Sequence, residues 1–357
     1  MRALRAGTAP ALHAELVNVG QDELTERLEN FLGQLALGEP TRPIFIEGEW
    51  GVGKSQALSI ARSIAASWDL PAASICFDAR SAPLSHPNRI YPIVASSLRL
   101  QGAMGLRAVL HRLLALDGSL QALSRFADQR WDAFGGALRD ILRARIAGDE
   151  LLLDRHESWA VILGGDLTRS DAPNKRAEAV NRLEALGGLF SACGHGGMLL
   201  LGDEVESLDQ LWNCVSRAGA YNWLGALTDL TNVGWIFGAT RRFSRTIASD
   251  YVSVGIRAPG RIKTTGERFL DTWNCYGFVR EELRALELED GYRFAERLGE
   301  VYRVGYCINA PAQDLQGVVH GWIADPARNP RLLARAVVEE LDNLRPLSCV
   351  PPPQGLR

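Results

Sequence analysis

The chain has 357 residues, of which 46% are hydrophobic and 23% are charged, and its formal net charge at pH 7 is -3. This composition excludes an intrinsically disordered chain, because there is enough apolar material for a core and too little charge imbalance to keep the chain expanded. It also excludes a simple basic nucleic-acid coat, and the length predicts one large domain with an appendage or two domains.

The cysteines and the apolar runs indicate where the protein works. The six cysteines are scattered, and none forms a C-x-x-C pair or has a second ligand at zinc spacing. The N-terminal residues make a poor signal peptide, and the longest apolar runs, such as Met198–Leu201, are too short to cross a bilayer. We therefore expect a reduced, soluble, cytoplasmic protein without a membrane span.

The most specific motif follows an amphipathic helix predicted from Asp22 and a short strand predicted at Pro43–Glu47. It matches the phosphate-loop pattern G-x-x-x-x-G-K-[ST] at every fixed position. The motif consists of Gly48, Glu49, Trp50, Gly51, Val52, Gly53, Lys54 and Ser55. Residues 54–67 have helical spacing, so the motif joins a strand to a helix as nucleotide binding requires.

The chemistry of this loop assigns a task to each part. Its N–H groups and the helix N-terminus are expected to face the β-phosphate of ATP, and Lys54 to reach the β and γ oxygens. Ser55 is expected to offer its hydroxyl to Mg²⁺, and Gln56 is included among the predicted nucleotide-binding residues. The alternative is a glycine-rich turn with a chance lysine.

A long insertion is predicted after a second strand at Ser74–Asp78. Residues 83–197 are rich in Leu, Ala and Arg and have helical periodicity, except for a loop predicted at Trp159–Pro173. A scaffold and a layer that binds a partner both fit this composition, and the scaffold is the plainer interpretation.

An acidic segment follows the next predicted strand. The apolar run Met198–Leu201 leads through Gly202 into Asp203 and Glu204, as in a Walker B segment. Asp203 is predicted to hold Mg²⁺, and Glu204 to orient and deprotonate the attacking water. The alternative is that both acids merely begin the following helix, where carboxylates suit the helix dipole.

Two more strands are predicted, at Val233–Gly238 and at Tyr251–Arg257. Thr240, after the first of these, is placed to contact the γ-phosphate or the attacking water, and a helix-capping role fits it almost as well. The site residues would then meet at the carboxyl ends of parallel strands, where open α/β sheets bind ligands.

Basic residues cluster after these two strands, and DNA phosphates are one candidate partner. The clusters contain Arg241, Arg242, Arg245, Arg257, Arg261, Lys263 and Arg268. Arg245 or Arg217 is a candidate for an arginine finger that reaches the ATP of a neighbouring subunit. A solvated surface remains the plain interpretation for most of these residues.

The pattern is helical after about residue 258. Helices are predicted over Leu288–Arg303 and from Pro330 to about Leu344, with Asn329 as the N-cap of the last one. We predict an ATPase domain over 1–257, a helical lid over 258–345 and a disordered tail over 346–357. The lid would place Arg331 near the phosphates, and an ordinary surface arginine is the alternative.

Several segments together resemble the ATP-binding protein of bacteriophage-exclusion (BREX) systems, the BrxD-type branch of AAA+-like ATPases. The resemblance covers about residues 18–345. Its segments are F-I-E-G-E-W-G-V-G-K-S, L-L-L-G-D-E-V-E-S-L, I-F-G-A-T, L-E-L-E-D-G-Y-R-F-A-E-R-L-G-E-V-Y and N-P-R-L-L-A-R-A-V-V. In AAA+ relatives of the origin-recognition type, a V-G-R-x-x-E-L box packs against adenine, which implies adenine contact by Val19 and Gly20; here Gln21 replaces the arginine.

The motifs and the resemblance together predict an α/β P-loop NTPase fold of the AAA+ type, with a parallel sheet flanked by helices. They predict an ATPase that uses ATP and Mg²⁺ within a DNA-associated, multi-protein phage-defence system, with other defence proteins and a second copy of the chain as candidate partners. A nucleotide-dependent switch, or a loader ATPase of the replication or transposition type with little turnover, is the alternative.

Overall fold

A computed structural model describes residues 5, 14–116, 118–149, 153, 156–169, 172–306, 312–325 and 328–344. The predicted tail at 346–357 lies outside these residues. Among the described helices, none combines the length and the apolar character needed to span a membrane.

Strands and helices alternate along the chain. The strands are β1 (Ile44–Glu47), β2 (Ala72–Cys76), β3 (Arg99–Leu100), β4 (Ala103–Met104), β5 (Met198–Asp203), β6 (Val233–Ala239) and β7 (Val279–Glu282). The helices are α1 (Asp22–Ala36), α2 (Lys54–Ser67), α3 (Pro87–Ser97), α4 (Leu106–Leu114), α5 (Ser119–Asp128), α6 (Ala133–Ala147), α7 (His156–Ile162), α8 (Pro173–Ala192), α9 (Cys214–Thr228), α10 (Arg241–Arg257), α11 (Thr264–Asn274), α12 (Leu288–Tyr306), α13 (Ala312–Ala324) and α14 (Pro330–Asn343). Short 3-10 turns cover Ala14–Val17, Leu167–Arg169 and Val205–Gln210.

The described strands form one seven-stranded sheet in the order β4-β3-β2-β5-β6-β1-β7. β5 pairs in parallel with both β2 and β6, whereas β3 runs antiparallel to β2 and to β4. This mostly parallel sheet flanked by helices confirms the predicted α/β class and is compatible with a P-loop NTPase. The AAA+ form of that fold stays a prediction.

Three sequence predictions about this region were wrong. Residues 251–257 form the second half of α10 rather than a strand, because the buried side chains of Phe243, Ile247 and Val254 follow helical spacing. The insertion at 83–197 is not purely helical, since β3 and β4 form a hairpin that extends the sheet. The predicted loop at 159–173 includes the end of α7.

The chain divides into two compact units. The first comprises Met1–Arg27, Glu47–Ser63 and Glu282–Arg357, and the second comprises Leu28–Ile46 and Ile64–Glu281. The second unit contains nearly all of the sheet and the whole insertion. The boundary at residue 257 stays a prediction from the sequence.

An aromatic cluster around Phe45 forms the centre of the second unit. The Phe45 ring is fully buried, and its centroid lies 4.6 Å from that of Trp273 and 5.3 Å from that of Trp235, both with edge-to-face geometry. Phe278 packs against the same ring at 5.5 Å. Burial of such rings contributes most of the packing energy of a core, so these contacts fix β1 in the sheet.

The first unit has a core of its own, made by α12, α13 and α14. Leu298, Val319 and Leu333 are completely buried there, and Val17 and Val19 from the N-terminal segment pack in the same cluster. The unit is therefore built from two ends of the chain that are far apart in sequence.

Helices α9 and α11 cross so closely that a side chain at Gly225 has no room. A Cβ atom built there would lie 1.9 Å from the carbonyl oxygen of Thr265. We expect Gly225→Ala to lower the free energy of unfolding by about 1–3 kcal/mol, the usual cost of overpacking. Urea denaturation followed by circular dichroism measures this loss.

Gly219 on the same helix is the matched control. A Cβ atom at Gly219 would make only ordinary contacts, the nearest at 3.6 Å from Ser85. Gly219→Ala should raise stability by up to about 1 kcal/mol, because alanine favours a helix over glycine. Equal losses in the two variants would contradict the close crossing of α9 and α11.

Candidate functional site

The phosphate-loop motif has the local structure that its sequence predicts. β1 ends at Glu47, the loop covers residues 48–53, and α2 begins at Lys54. Gly51 and Gly53 have φ values of 88° and 116°, a left-handed region that favours glycine. A Cβ atom at Gly53 would meet nothing within 4 Å, so backbone conformation alone requires that glycine.

Lys54 is held by the loop itself. Its side chain is 7% exposed, and Nζ donates hydrogen bonds to the carbonyl oxygens of Gly48 at 2.9 Å and Glu49 at 3.1 Å. Ser55, next on α2, is exposed. The Lys54 ammonium is thus fixed against the loop that is predicted to bind phosphate.

Gln56 also has a defined contact in the first unit. Its Nε2 donates a hydrogen bond of 2.5 Å to the carbonyl oxygen of Ala14, which is buried in the N-terminal 3-10 turn. The first turn of α2 is therefore tied to the segment that precedes α1.

The N-terminus of α14 packs directly on the phosphate loop. A Cβ atom at Gly51 would lie 2.4 Å from Nδ2 of Asn329. The same amide caps α14, because its Oδ1 accepts a hydrogen bond of 2.9 Å from the backbone N–H of Arg331. Gly51 is a variable position of the motif, and in this chain both its positive φ and its neighbour Asn329 exclude a larger residue.

Arg331 lies over the aromatic side chain of the loop. Its guanidinium carbon is 4.3 Å from the ring centroid of Trp50, a cation–π contact, and Trp50 is 64% exposed. The structure thus brings the predicted lid arginine to the predicted phosphate loop. Its contact with a nucleotide phosphate stays a prediction.

Val19 and Gly20, the predicted adenine contacts, pack against other residues of the first unit. Val19 is 5% exposed and belongs to the core of the first unit. Gly20 has a φ of 69°, and a Cβ atom there would lie 2.8 Å from Oδ2 of Asp290. Gln21, which replaces the arginine of the resembling box, donates from Nε2 to the carbonyl oxygen of Arg284 at 3.0 Å.

Asp290 anchors this N-terminal segment. Its carboxylate accepts hydrogen bonds from Arg293 at 2.7 Å, from Arg284 at 3.1 Å and from the N–H of Glu287 at 3.0 Å. Burial acts to raise the pKa of Asp290, but the Glu287 N–H and the two guanidinium groups bring that pKa below its ordinary value. The carboxylate therefore stays charged beside Gly20.

The acidic segment lies in the second unit and ends the central strand β5. Asp203 is the last residue of β5 and pairs in register with Cys76 at the end of β2. Its Oδ1 accepts a hydrogen bond of 3.0 Å from the N–H of Glu204. Glu204 itself adopts a left-handed conformation, with φ 60° and ψ 36°, before the 3-10 turn Val205–Gln210. The expectation that these acids face Lys54 stays a prediction.

The thiol of Cys76 reports the electrostatics of this strand end. Burial raises the pKa of Cys76, and the carboxylates of Asp203, Glu204, Asp78 and Glu206 raise it further. The four carboxylates near this strand end therefore favour the protonated thiol over the thiolate.

Thr240 follows β6, the strand that neighbours β5 in parallel. It occupies the N-cap position of α10, but its side chain makes no capping hydrogen bond. Thr240 and Asp203 thus lie at the carboxyl ends of two adjacent parallel strands. The Thr240 hydroxyl therefore does not cap α10, and helix capping does not explain a threonine at this position.

At least three of the arginines predicted to contact DNA or a neighbouring ATP are engaged by carboxylates, and one of them, Arg268, pairs with Asp229. Arg217 donates to the buried carboxylate of Asp250 at 2.8 Å, and its Nε donates to the carbonyl oxygen of Leu211. Arg242 pairs with Asp209 at 2.5 Å. Removing a partner from a buried carboxylate costs several kcal/mol, so the contact with Asp250 gives Arg217 a structural role.

Sequence reasoning missed Asn329 and Asp290 as neighbours of the site. Asn329 is recognisable only as a helix N-cap, and Asp290 only as an acid in the first turn of α12. Their contacts with Gly51 and Gly20 join segments far apart in the chain. The only indication in the sequence was the glycine at each contact. A glycine can mark the close approach of another segment, but it does not identify that segment.

Ser55, in the first unit, and Asp203, in the second, are the residues predicted to hold Mg²⁺, and that role stays a prediction. Within the part of the chain that the structure describes, no cluster of three or more His, Cys, Asp or Glu side chains has the arrangement of a metal site. In nucleotide sites, Mg²⁺ is usually held by one or two protein oxygens together with substrate phosphates and water.

Comparison with known protein families gives a match to the first part of the chain. Residues 1–150 of the 357-residue chain match the family model described as BREX system ATP-binding protein BrxC/D. Over these residues, the match confirms the resemblance to ATP-binding proteins of the BREX system. No curated protein and no solved structure matches the chain.

The left-handed backbone at Glu204 should have a measurable cost. Non-glycine residues in this region are strained by about 1–2 kcal/mol, and asparagine tolerates it better than most residues. We expect Glu204→Asn to be more stable than Glu204→Gln by about 0.5–1 kcal/mol in urea denaturation, because only asparagine relieves the strain. Both variants lack the carboxylate, so charge does not differ between them.

Gln210→Asn is the control for this comparison, because Gln210 ends the same 3-10 turn without a positive φ. It should bring no gain in stability. Equal stability of Glu204→Asn and Glu204→Gln would show that position 204 is not strained.

Proposed function

We propose that this chain binds and hydrolyses ATP, and that its nucleotide cycle drives assembly or remodelling of a DNA-associated BREX defence complex. The observation that carries the proposal is the strand–loop–helix at residues 44–67, with Gly51 and Gly53 at positive φ and Lys54 held against the loop. A loop of this form presents backbone N–H groups and a helix N-terminus to an anion. The match of residues 1–150 to a family of ATP-binding proteins supports the same ligand.

In this proposal each side chain has one task. Lys54 binds the β and γ oxygens of ATP, and Ser55 and Asp203 hold Mg²⁺, which offsets negative charge on the phosphates when bound. Glu204 orients the attacking water and accepts its proton. Thr240 donates its hydroxyl to the γ-phosphate or to that water.

The main alternative is a nucleotide-dependent switch or a loader ATPase with little turnover. Such a protein uses the same loop, and ATP occupancy alone changes the population of its conformations. The acid at position 204 favours hydrolysis over this alternative, because a switch does not need a general base.

We also propose that the segment 241–263 contacts DNA and that the working form includes a second copy of the chain and other defence proteins. The segment carries six basic residues and one acid, Asp250, whose carboxylate is buried and bound to Arg217. Arg245, Arg261 and Lys263 are exposed. A cationic surface with no exposed carboxylate of its own is suited to a polyanion. Arg245 is the candidate arginine finger for a neighbouring subunit.

The first test of hydrolysis compares wild type with Lys54→Ala and Glu204→Gln. Lys54→Ala should abolish ATP binding, because the ammonium neutralises phosphate charge. Glu204→Gln should retain ATP binding and lower phosphate release by about 10² or more, in line with loss of a general base. Binding is measured by calorimetry, and turnover by phosphate release.

Two results would contradict the assignment. Equal turnover in wild type and Glu204→Gln would remove Glu204 as the base, and slow turnover in both would favour the switch. Unchanged ATP affinity in Lys54→Ala would refute the phosphate loop itself.

The DNA contact is tested by charge reversal at exposed positions. Arg245→Glu combined with Lys263→Glu should weaken binding to duplex DNA of any sequence and reduce the dependence of affinity on salt, because fewer counterions are released. Fluorescence anisotropy at several salt concentrations measures both effects. Arg335→Glu, an exposed position on α14, is the control and should bind DNA like wild type.

A further inference from the structure

An arginine and an exposed indole meet at the phosphate loop of the first unit. The guanidinium carbon of Arg331 lies 4.3 Å from the ring centroid of Trp50. Among the described residues, Arg331 forms no ion pair with a carboxylate. Trp50 is 64% exposed although it is one of the largest apolar side chains, and the loop motif sets no requirement at its position. The ring of Trp50 is therefore not part of a core.

The backbone at Arg331 is fixed to the loop independently of this stack. Asn329 lies against Gly51 and caps the helix through the N–H of Arg331, and its own carbonyl oxygen accepts a hydrogen bond from Nε1 of Trp322 at 3.1 Å. These contacts place the Cα atom of residue 331 near the loop. They do not restrain the long arginine side chain, which has many rotamers and loses entropy when it is held in one.

Among the described residues, no carboxylate binds the N–H donors of Arg331. A cation–π contact engages the flat face of the group, whereas its N–H donors lie in the plane and point outwards from the edge. An arginine stacked on an indole therefore keeps its donors for a phosphate, in contrast to one whose donors are already bound to a carboxylate.

We propose that Trp50 is a positioning residue that holds Arg331 over the phosphate loop, so that the guanidinium donates to the terminal phosphate of ATP. This inference rests on the proposed function and adds a specificity to it. ADP lacks the terminal phosphate, so Trp50 acting through Arg331 raises the affinity for ATP relative to ADP.

The test measures the ratio of ADP to ATP dissociation constants in the full chain by calorimetry with Mg²⁺, with the non-hydrolysable analogue AMP-PNP in place of ATP. Arg331→Met should weaken AMP-PNP binding about tenfold or more and ADP binding by less than about twofold, because it removes charged hydrogen bonds to one phosphate. Trp50→Leu should reproduce most of that change in the ratio. Trp50→Phe, which keeps an aromatic face, should restore most of the wild-type ratio.

The double variant separates positioning from a general effect on the loop. If Trp50 acts only through Arg331, then Trp50→Leu combined with Arg331→Met should match Arg331→Met alone, since the two losses are not independent. Two substitutions serve as matched controls and should leave the ratio unchanged. They are Arg335→Met, one turn further along α14, and Trp131→Leu, at a tryptophan that is 93% exposed.

The outcomes distinguish this inference from the proposed function. If wild type binds neither nucleotide, or if Lys54→Ala binds both unchanged, the proposed function fails and the inference fails with it. If wild type binds both in a Lys54-dependent way and Trp50→Leu keeps the wild-type ratio, only the inference is overturned. Losses that multiply in the double variant overturn it as well. If Trp50→Leu does not fold, as judged by circular dichroism and urea denaturation, Arg331→Met decides the test. A wild-type ratio of the ADP and AMP-PNP dissociation constants in Arg331→Met then overturns the inference.

Discussion

Burial of one aromatic side chain constrains the start of the phosphate loop. Phe45 is fully buried among Trp235, Trp273 and Phe278, so the four-residue strand β1 has one register in which this ring points into the core. In a strand, a shift by one residue would turn the ring to the opposite face. Glu47 ends the strand and Gly48 begins the loop, so the chain must turn there, and the loop conformation follows from the glycines.

The loop then combines two different reasons for glycine. Gly53 is required by its φ of 116°, whereas Gly51 is required both by its φ of 88° and by the approach of Asn329. Five of the described non-glycine residues have a positive φ, and two of them concern this site: Glu204, a predicted site residue, at 60°, and Arg328, which precedes Asn329, at 39°. Strained conformations of this kind persist only where the surrounding structure determines them, and they are common at functional sites.

Local sequence patterns predicted several strands and helices of this fold, but they did not predict which distant residues contact each other. The helix over 54–67 was predicted at its observed bounds, and the strands at 43–47 and 233–238 within one residue. In these segments the hydrophobic periodicity and the flanking turn residues indicate the same bounds. The strand predicted at 251–257 was wrong because a short run with Tyr, Val and Ile fits both periods when the preceding turns of the helix are ignored. The sequence predicted that Arg331 lies near the phosphates, but it did not predict the contact of Arg331 with Trp50 or that of Asn329 with Gly51, because no periodicity reports which distant residues meet.

The arginines show why such contacts decide function. The chain has 39 basic residues, only three of them lysines, so sequence alone gives little reason to choose among the arginines. The structure separates them by what their donors already bind. Arg182 is buried and its donors are bound to the partly buried carboxylates of Asp166 and Glu178, so they are already committed. Arg331 lies over the exposed ring of Trp50, and among the described residues no carboxylate binds its donors. A phosphate can therefore bind these donors without leaving a carboxylate unpaired. For an arginine to recognise an added anion, its donors must be uncommitted while its face is held, and within the described part of the chain Arg331 meets both conditions.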